Sequence, residues 1–175
     1  MTLSDGRSHA IKPVEIVNGK LNFVCLAERC PEPCCGPFGG VQSGIAAVDG
    51  RPFHEIVLTE EDSRRLIAAG HSHLIDMRQG QSDSMKLQED GTCTAFKNGR
   101  CSIHASKPTV CRAFPFYVDM FVGLCCVTAC PGFGAGFTPL SQLVPEIKAA
   151  GNMYRFWLET IEEQAMPPTS ESPEK

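Results

Sequence analysis

The sequence predicts one α+β domain, small and loop-rich, with short β-hairpins and two main helices at about 60–69 and 142–165. Three observations predict it. The dipeptides Asn18-Gly19 and Asn98-Gly99 stand between short segments of strand character, and Asn-Gly supplies the positive φ that a two-residue hairpin needs. Leu143, Ile147, Ala150, Tyr154, Leu158 and Ile161 recur at three- and four-residue steps, the stripe of a half-buried helix. Finally, 13 prolines, 16 glycines and only 7% aromatic residues suit a 175-residue chain whose modest core is partly replaced by crosslinks.

In order along the chain, residues 1–12 read as a frayed lead, 13–165 as the domain and 166–175 as a disordered tail. The Asn18-Gly19 turn pairs Val17 with Lys20, Ile16 with Leu21 and Val14 with Phe23. Val14, Ile16, Leu21 and Phe23 then share one apolar face, and Cys25 continues it inward. Prolines 31, 33 and 37 make the next stretch a stiff loop, and glycines 36, 39 and 40 permit close backbone approach. Residues 45–58 read as one or two short strands. Thr59 is a natural N-cap with Asp62 at the capping-box position, and Gly70 a plausible stop. A polar loop, a short strand at 85–87 and an Asp90-Gly91 turn follow. Gly132 to Gly136 reads as flexible, and Ser141 is the better N-cap of the last helix because an earlier start puts Pro145 in its interior.

Composition narrows the chemistry. A net charge of −4 and a pI near 5.7 argue against a nucleic-acid surface. No apolar run reaches membrane-spanning length, and MTLSDGRSHAIKPVE has no secretory h-region. The expected setting is the reducing cytoplasm, where ten cysteines are better explained by metal thiolates than by disulfides.

The cysteines fall in three groups: 25, 30, 34 and 35; then 93, 101 and 111; then 125, 126 and 130. Four soft, anionic thiolates make a site for zinc or an iron–sulfur cluster. No C-x2-C knuckle of the zinc-ribbon kind is present, and only the tail of a ferredoxin motif appears, in Cys126-x3-Cys130-Pro131. A regular hairpin at Asn98-Gly99 opposes Phe96 to Cys101 and points Cys93 and Cys101 apart. Either they serve different sites or the strands are irregular there. Adjacent Cys34 and Cys35 diverge if extended.

The whole arrangement resembles a known family. Its residues are F-x-C-x4-C-x3-C-C from Phe23 to Cys35 and L-T-x2-D-x2-R-L from Leu58 to Leu66. They continue with Gly91-x-Cys93-x2-Phe96, Cys101-Ser102-Ile103-His104, Lys107-Pro108-x2-Cys111-Arg112-x-Phe114-Pro115-Phe116 and Cys130-Pro131-Gly132. Over residues 23 to about 160 this is similar to the YkgJ-type cysteine-cluster family, described as a zinc- or iron-chelating domain; flagellin lysine-N-methylases carry a related pattern. The resemblance implies metal ligands at Cys25, Cys30, Cys34, Cys35, Cys93, Cys101, Cys111 and Cys130. Cys125 and Cys126 lie outside the pattern. Eight thiolates suit two four-cysteine sites, or one cluster plus a structural zinc. An iron–sulfur cluster, 4Fe-4S for preference, is favoured over Zn2+ by the missing knuckles, the cysteine surplus and the family analogy. The function implied is metal binding, with redox activity or a methylase-like reaction as one version and a purely structural zinc module as the alternative.

Arg112, beside Cys111, is read as a cofactor-binding cation, with Arg100 and Arg29 as further counter-charges and backbone N–H groups of the glycine runs as donors to sulfur. Arg112 could instead bind a substrate carboxylate, and a protein or small-molecule substrate is left open. His104 adds a possible nitrogen ligand. His71 and His73 read as exposed, His54 as a core or edge residue, Glu60, Glu61 and Asp62 as a dipole-favourable helix start, Trp157 as packing, and Phe114-Pro115-Phe116 as a shield over the metal.

Overall fold

The computed structural model describes residues 11–31, 34–35, 55–127 and 130–165. Short strands and three helices alternate in an α+β arrangement. The chain runs β1 (Ile11–Pro13), β2 (Ile16–Val17), β3 (Lys20–Phe23), α1 (Glu60–Ala68), β4 (Ile75–Asp76), β5 (Ser84–Met85), β6 (Phe96–Lys97) and β7 (Arg100–Cys101). It continues through α2 (Thr109–Ala113), β8 (Phe116–Asp119), β9 (Gly123–Val127), β10 (Phe133–Pro139) and α3 (Leu140–Ala165). Two three-stranded antiparallel sheets, ordered β1-β9-β8 and β10-β3-β2, accompany the two-stranded pairs β4-β5 and β6-β7. Ile11 and Lys12 pair with Val127 and Cys126, so the expected lead gives up its last two residues to a sheet.

The first hairpin forms in the predicted register, Ile16 opposite Leu21 and Val17 opposite Lys20, with φ of 51° at Asn18 and 70° at Gly19. Its burial differs from expectation. Leu21 and Phe23 are buried, whereas Ile16 is 50% exposed. The reason is topological: β3 is a central strand, covered through β10, while β2 is a two-residue edge. The Val14–Phe23 pair is replaced, because the Val14 N–H turns to the Leu124 carbonyl and Phe23 faces Phe133. The glycine-rich run after Cys130 is likewise a strand, not a flexible link, with its register broken between Phe133 and Thr138.

Helix α1 carries both predicted ends. Thr59 and Asp62 make a reciprocal capping box. At the other end Gly70, at φ 79°, lets the His71 N–H reach the Leu66 carbonyl and its own N–H reach Ile67, a Schellman stop. Helix α3 begins at Leu140 rather than at an Ser141 cap, and Pro145 lies inside it. Ser141 and Pro145 are both exposed, so water can satisfy the carbonyl that proline leaves without a donor. Leu143 and Ala150 from the predicted stripe are buried, but Ile161 is 43% exposed as the helix runs past the sheets. Among the described residues no helix is long and apolar enough to cross a membrane.

Two apolar clusters result. The first gathers Leu21, Phe23, Phe116, Cys126, Leu143, Ala150 and Met153 between the sheets and α3. The second gathers Ile56, Leu58, Leu66, Ile75, Met85, Cys93 and Ile103. Val110 of α2 packs against both, so this short helix, which the sequence reading did not assign, is the shared wall.

Candidate metal centre

Four of the family-matched cysteines meet at the second cluster. Cys93 is buried in it, and Cys35, Cys101 and Cys111 pack against it. Main-chain bonds arrange this. The Cys93 N–H donates to the Cys35 carbonyl at 3.1 Å, which docks the first cysteine group onto the central stretch. Leu87 bridges to Cys93, and Thr94 donates to Lys86 at 3.0 Å. The Asn98-Gly99 hairpin pairs Phe96 with Cys101 as expected. It is only two residues a side, however, and the Phe96 N–H folds back on the Cys93 carbonyl at 2.8 Å. Cys93 lies outside this two-residue ladder and packs in the same apolar cluster as Cys101.

A second set lies nearer solvent. Cys130 is within the electrostatic reach of Cys30, Cys34 and Cys25. Cys25 and Cys34 are exposed, Cys30 and Cys130 half-buried. The expected inward delivery of Cys25 does not occur, because β3 ends at Phe23. What joins the two segments is Gly132. Its carbonyl accepts from the Val24 N–H at 3.0 Å, and a Cβ there would stand 2.6 Å from the Val24 oxygen and 2.8 Å from the Phe23 ring. Below them Phe23 meets Phe116 and Phe133 at centroid distances of 5.2 and 5.0 Å. Phe116 therefore shields the core beneath the outer thiols.

The thiols show how much the arrangement needs a cation. Cys35 lies within hydrogen-bond reach of Cys34 and Cys101, with one S–H to share between them; this contact lowers Cys101 to about 6 and Cys34 to about 7, and pushes Cys35 itself up. Burial raises Cys111, and negative charge at Cys93, Cys34 and Cys101 raises it further. These sulfurs cannot all ionise together without a compensating positive charge. Backbone donors recur two residues after a cysteine: Ala95 for Cys93, Ile103 for Cys101 and Gly132 for Cys130, each favouring thiolate. Glycines 36, 39 and 40 lie outside the described residues. The donor set fits a thiophilic metal on both counts, anionic sulfur and N–H support. Among the described residues no group of three or more His, Cys, Asp or Glu is gathered as a ready single-ion site.

The cation felt by Cys34, Cys101 and Cys111 is Lys107. Arg112, next to Cys111 on α2, instead lines a cleft against α3. Sequence reading also missed the part played by Asp62, which is fully buried. Beyond the Thr59 cap it accepts from the Thr109 N–H at 3.1 Å, the Thr109 hydroxyl at 2.9 Å and Arg65 at 2.5 Å. Arg65 also donates to the Lys107 carbonyl at 3.1 Å. The L-T-x2-D-x2-R-L motif is thus a clamp that sets α2, and with it Cys111, against α1. The 47-residue separation of Asp62 from Thr109 hid this partner.

The remaining candidates stand apart. Cys125 and Cys126 are buried in β9, Cys126 within the first core. His104 is exposed, and His71 and His73 sit 6.4 Å apart in their polar loop. Trp157 packs edge-on against Phe156. His54 falls outside the described residues.

A family model now adds its weight: residues 24–132 match CxxCxxCC, described as "Putative zinc- or iron-chelating domain". The chain belongs to this family. That supports metal binding through cysteines. No curated protein and no solved structure matches the chain.

Proposed function

We propose that the chain binds metal at two thiolate sites, an inner one at Cys35, Cys93, Cys101 and Cys111 and an outer one at Cys25, Cys30, Cys34 and Cys130. The single observation that carries this is the division of the eight family-matched cysteines between the second core cluster and the Gly132 junction. Cys34 touches Cys35 and is the link between them. The inner site ties together three chain segments around buried Cys93, which is the setting of a structural centre. The outer site has exposed thiols and is the one a substrate or electron partner could approach.

An iron–sulfur cluster, 4Fe-4S, remains the favoured occupant on the cysteine surplus and the missing C-x2-C knuckles. It would supply one-electron chemistry, and the methylase-like reaction implied by the family resemblance rests on that assignment. One observation favours zinc as the second reading: within the inner set, Cys35 is in hydrogen-bond contact with Cys101. A tetrahedral zinc with bonds of about 2.3 Å holds its sulfurs only about 3.8 Å apart.

Anaerobic purification followed by iron, zinc and sulfide analysis decides between them. Broad absorbance near roughly 400 nm with iron and acid-labile sulfide is expected for a cluster; a colourless protein with stoichiometric zinc selects the second reading. Cys93→Ser and Cys25→Ser should each lose metal, the former together with solubility. Full metal content in both variants would sink the two-site proposal.

A further inference from the structure

Residues of helices α1, α2 and α3 line an open cleft of about 290 Å³ whose polar lining includes Glu61, Arg65, Thr109, Arg112, Lys148 and Asn152. Its charges are unevenly spoken for. Arg65 is paired with buried Asp62 at 2.5 Å, and the Thr109 hydroxyl donates to the same carboxylate. Arg112 and Lys148 face no carboxylate within ion-pair distance among the described residues, and Glu61 is the one carboxylate lining the cleft with them. Two cations against one carboxylate leave one net positive charge, on a chain whose overall charge is −4. The donors match that charge. Arg155 donates to Asn152 Oδ1 at 2.6 Å, so the Asn152 amide keeps its N–H2 for another acceptor. Arg65 Nε is buried in the same wall with no hydrogen-bond partner.

We infer that this cleft binds a small carboxylate, held by the Arg112 guanidinium with the Lys148 ammonium and the Asn152 amide as flanking donors. A guanidinium presents two parallel N–H groups that match a carboxylate, while a single net positive charge suits a singly charged anion better than a phosphate. The position matters for function. Cys111 and Arg112 are successive on α2, about 100° apart around its axis. One packs on the second core with the inner thiols, and the other faces the cleft. A bound carboxylate and a bound metal would therefore press on the same short helix from two sides.

The test is a titration of the metal-loaded chain with sodium propionate and, separately, inorganic phosphate at matched ionic strength. It is followed by the side-chain NMR signals of Arg112 and Asn152, with metal content measured on every sample. Propionate should give saturable shifts. Lys148→Gln, at an exposed helical position, should weaken binding about fivefold, the worth of one exposed ion pair, and Lys148→Arg should restore it, both with unchanged metal. Absence of saturation, or equal binding by the Gln variant, overturns the site. Saturation by phosphate but not propionate overturns the carboxylate assignment. Because metal is read independently, failure here and failure of the two-site reading are distinguishable.

Discussion

Asp62 shows how one side chain can set the position of a thiol that it never touches. Its carboxylate caps α1 through Thr59, holds Arg65 and accepts from both Thr109 donors, so no solvent is needed to satisfy it. Asp62→Asn removes the charge while keeping the shape, and should cost about 2–3 kcal/mol, the range for hydrogen bonds to a charged group. Urea unfolding of the metal-loaded variant measures it; a loss under about 0.5 kcal/mol would mean the contacts are decorative. Cys34 gives a second residue-scale expectation. In the metal-free chain its thiol is lowered to about 7, first by the Cys35 hydrogen bond and then by Lys107. A lowered value means more thiolate at pH 7, so alkylation at Cys34 should outpace that at Cys25, which is also exposed. The rate should fall as pH drops through about 7. Mass spectrometry after brief labelling reads the order; equal labelling contradicts the Cys35 contact.

Among the elements, the junction of β3 with β10 is the most constrained. Gly132 sits where any Cβ meets a backbone oxygen at 2.6 Å, and backbone does not yield as a side-chain tip does. Gly132→Ala should push the Cys130 segment off the Cys25 segment. The expected result is a chain that folds, keeps metal at the inner thiols and loses it at the outer ones, seen as a drop to about half the metal content. Loss of all metal would show that the two proposed sites are one cooperative unit. Helix α2 teaches a related lesson. Five residues are too few to be helical on their own. Buried Pro108 at its N-cap, the Asp62 carboxylate at Thr109 and the two cores meeting at Val110 hold it instead. That is why its pattern in the sequence is only a motif, K-P-x2-C-R, and not a periodicity.

For the molecule as a whole, the cores are small and the second is floored by thiols, so metal and fold should be coupled. Stripping metal with a chelator under reducing conditions should lower the unfolding midpoint and broaden the transition. Circular dichroism during the titration checks this, and an unchanged midpoint would make the metal an adornment of a self-sufficient core. Acid should mimic the chelator, since thiolates must be deprotonated to ligate. The sequence by itself determined the local pieces: both Asn-Gly turns, the two ends of α1, the existence of a long C-terminal helix and a cysteine pattern shared with a chelating family. Each of these rests on interactions within a few residues, or on residue chemistry that survives in any fold. The tertiary structure alone decided which sulfurs lie near one another. Cys25 turned outward because its strand ends early, Cys93 joined Cys101 because the ladder between them is broken, and Lys107 rather than Arg112 became the neighbouring cation. Those outcomes depend on contacts between segments far apart in the chain, and on Asp62 reaching Thr109 across 47 residues, which no local pattern encodes.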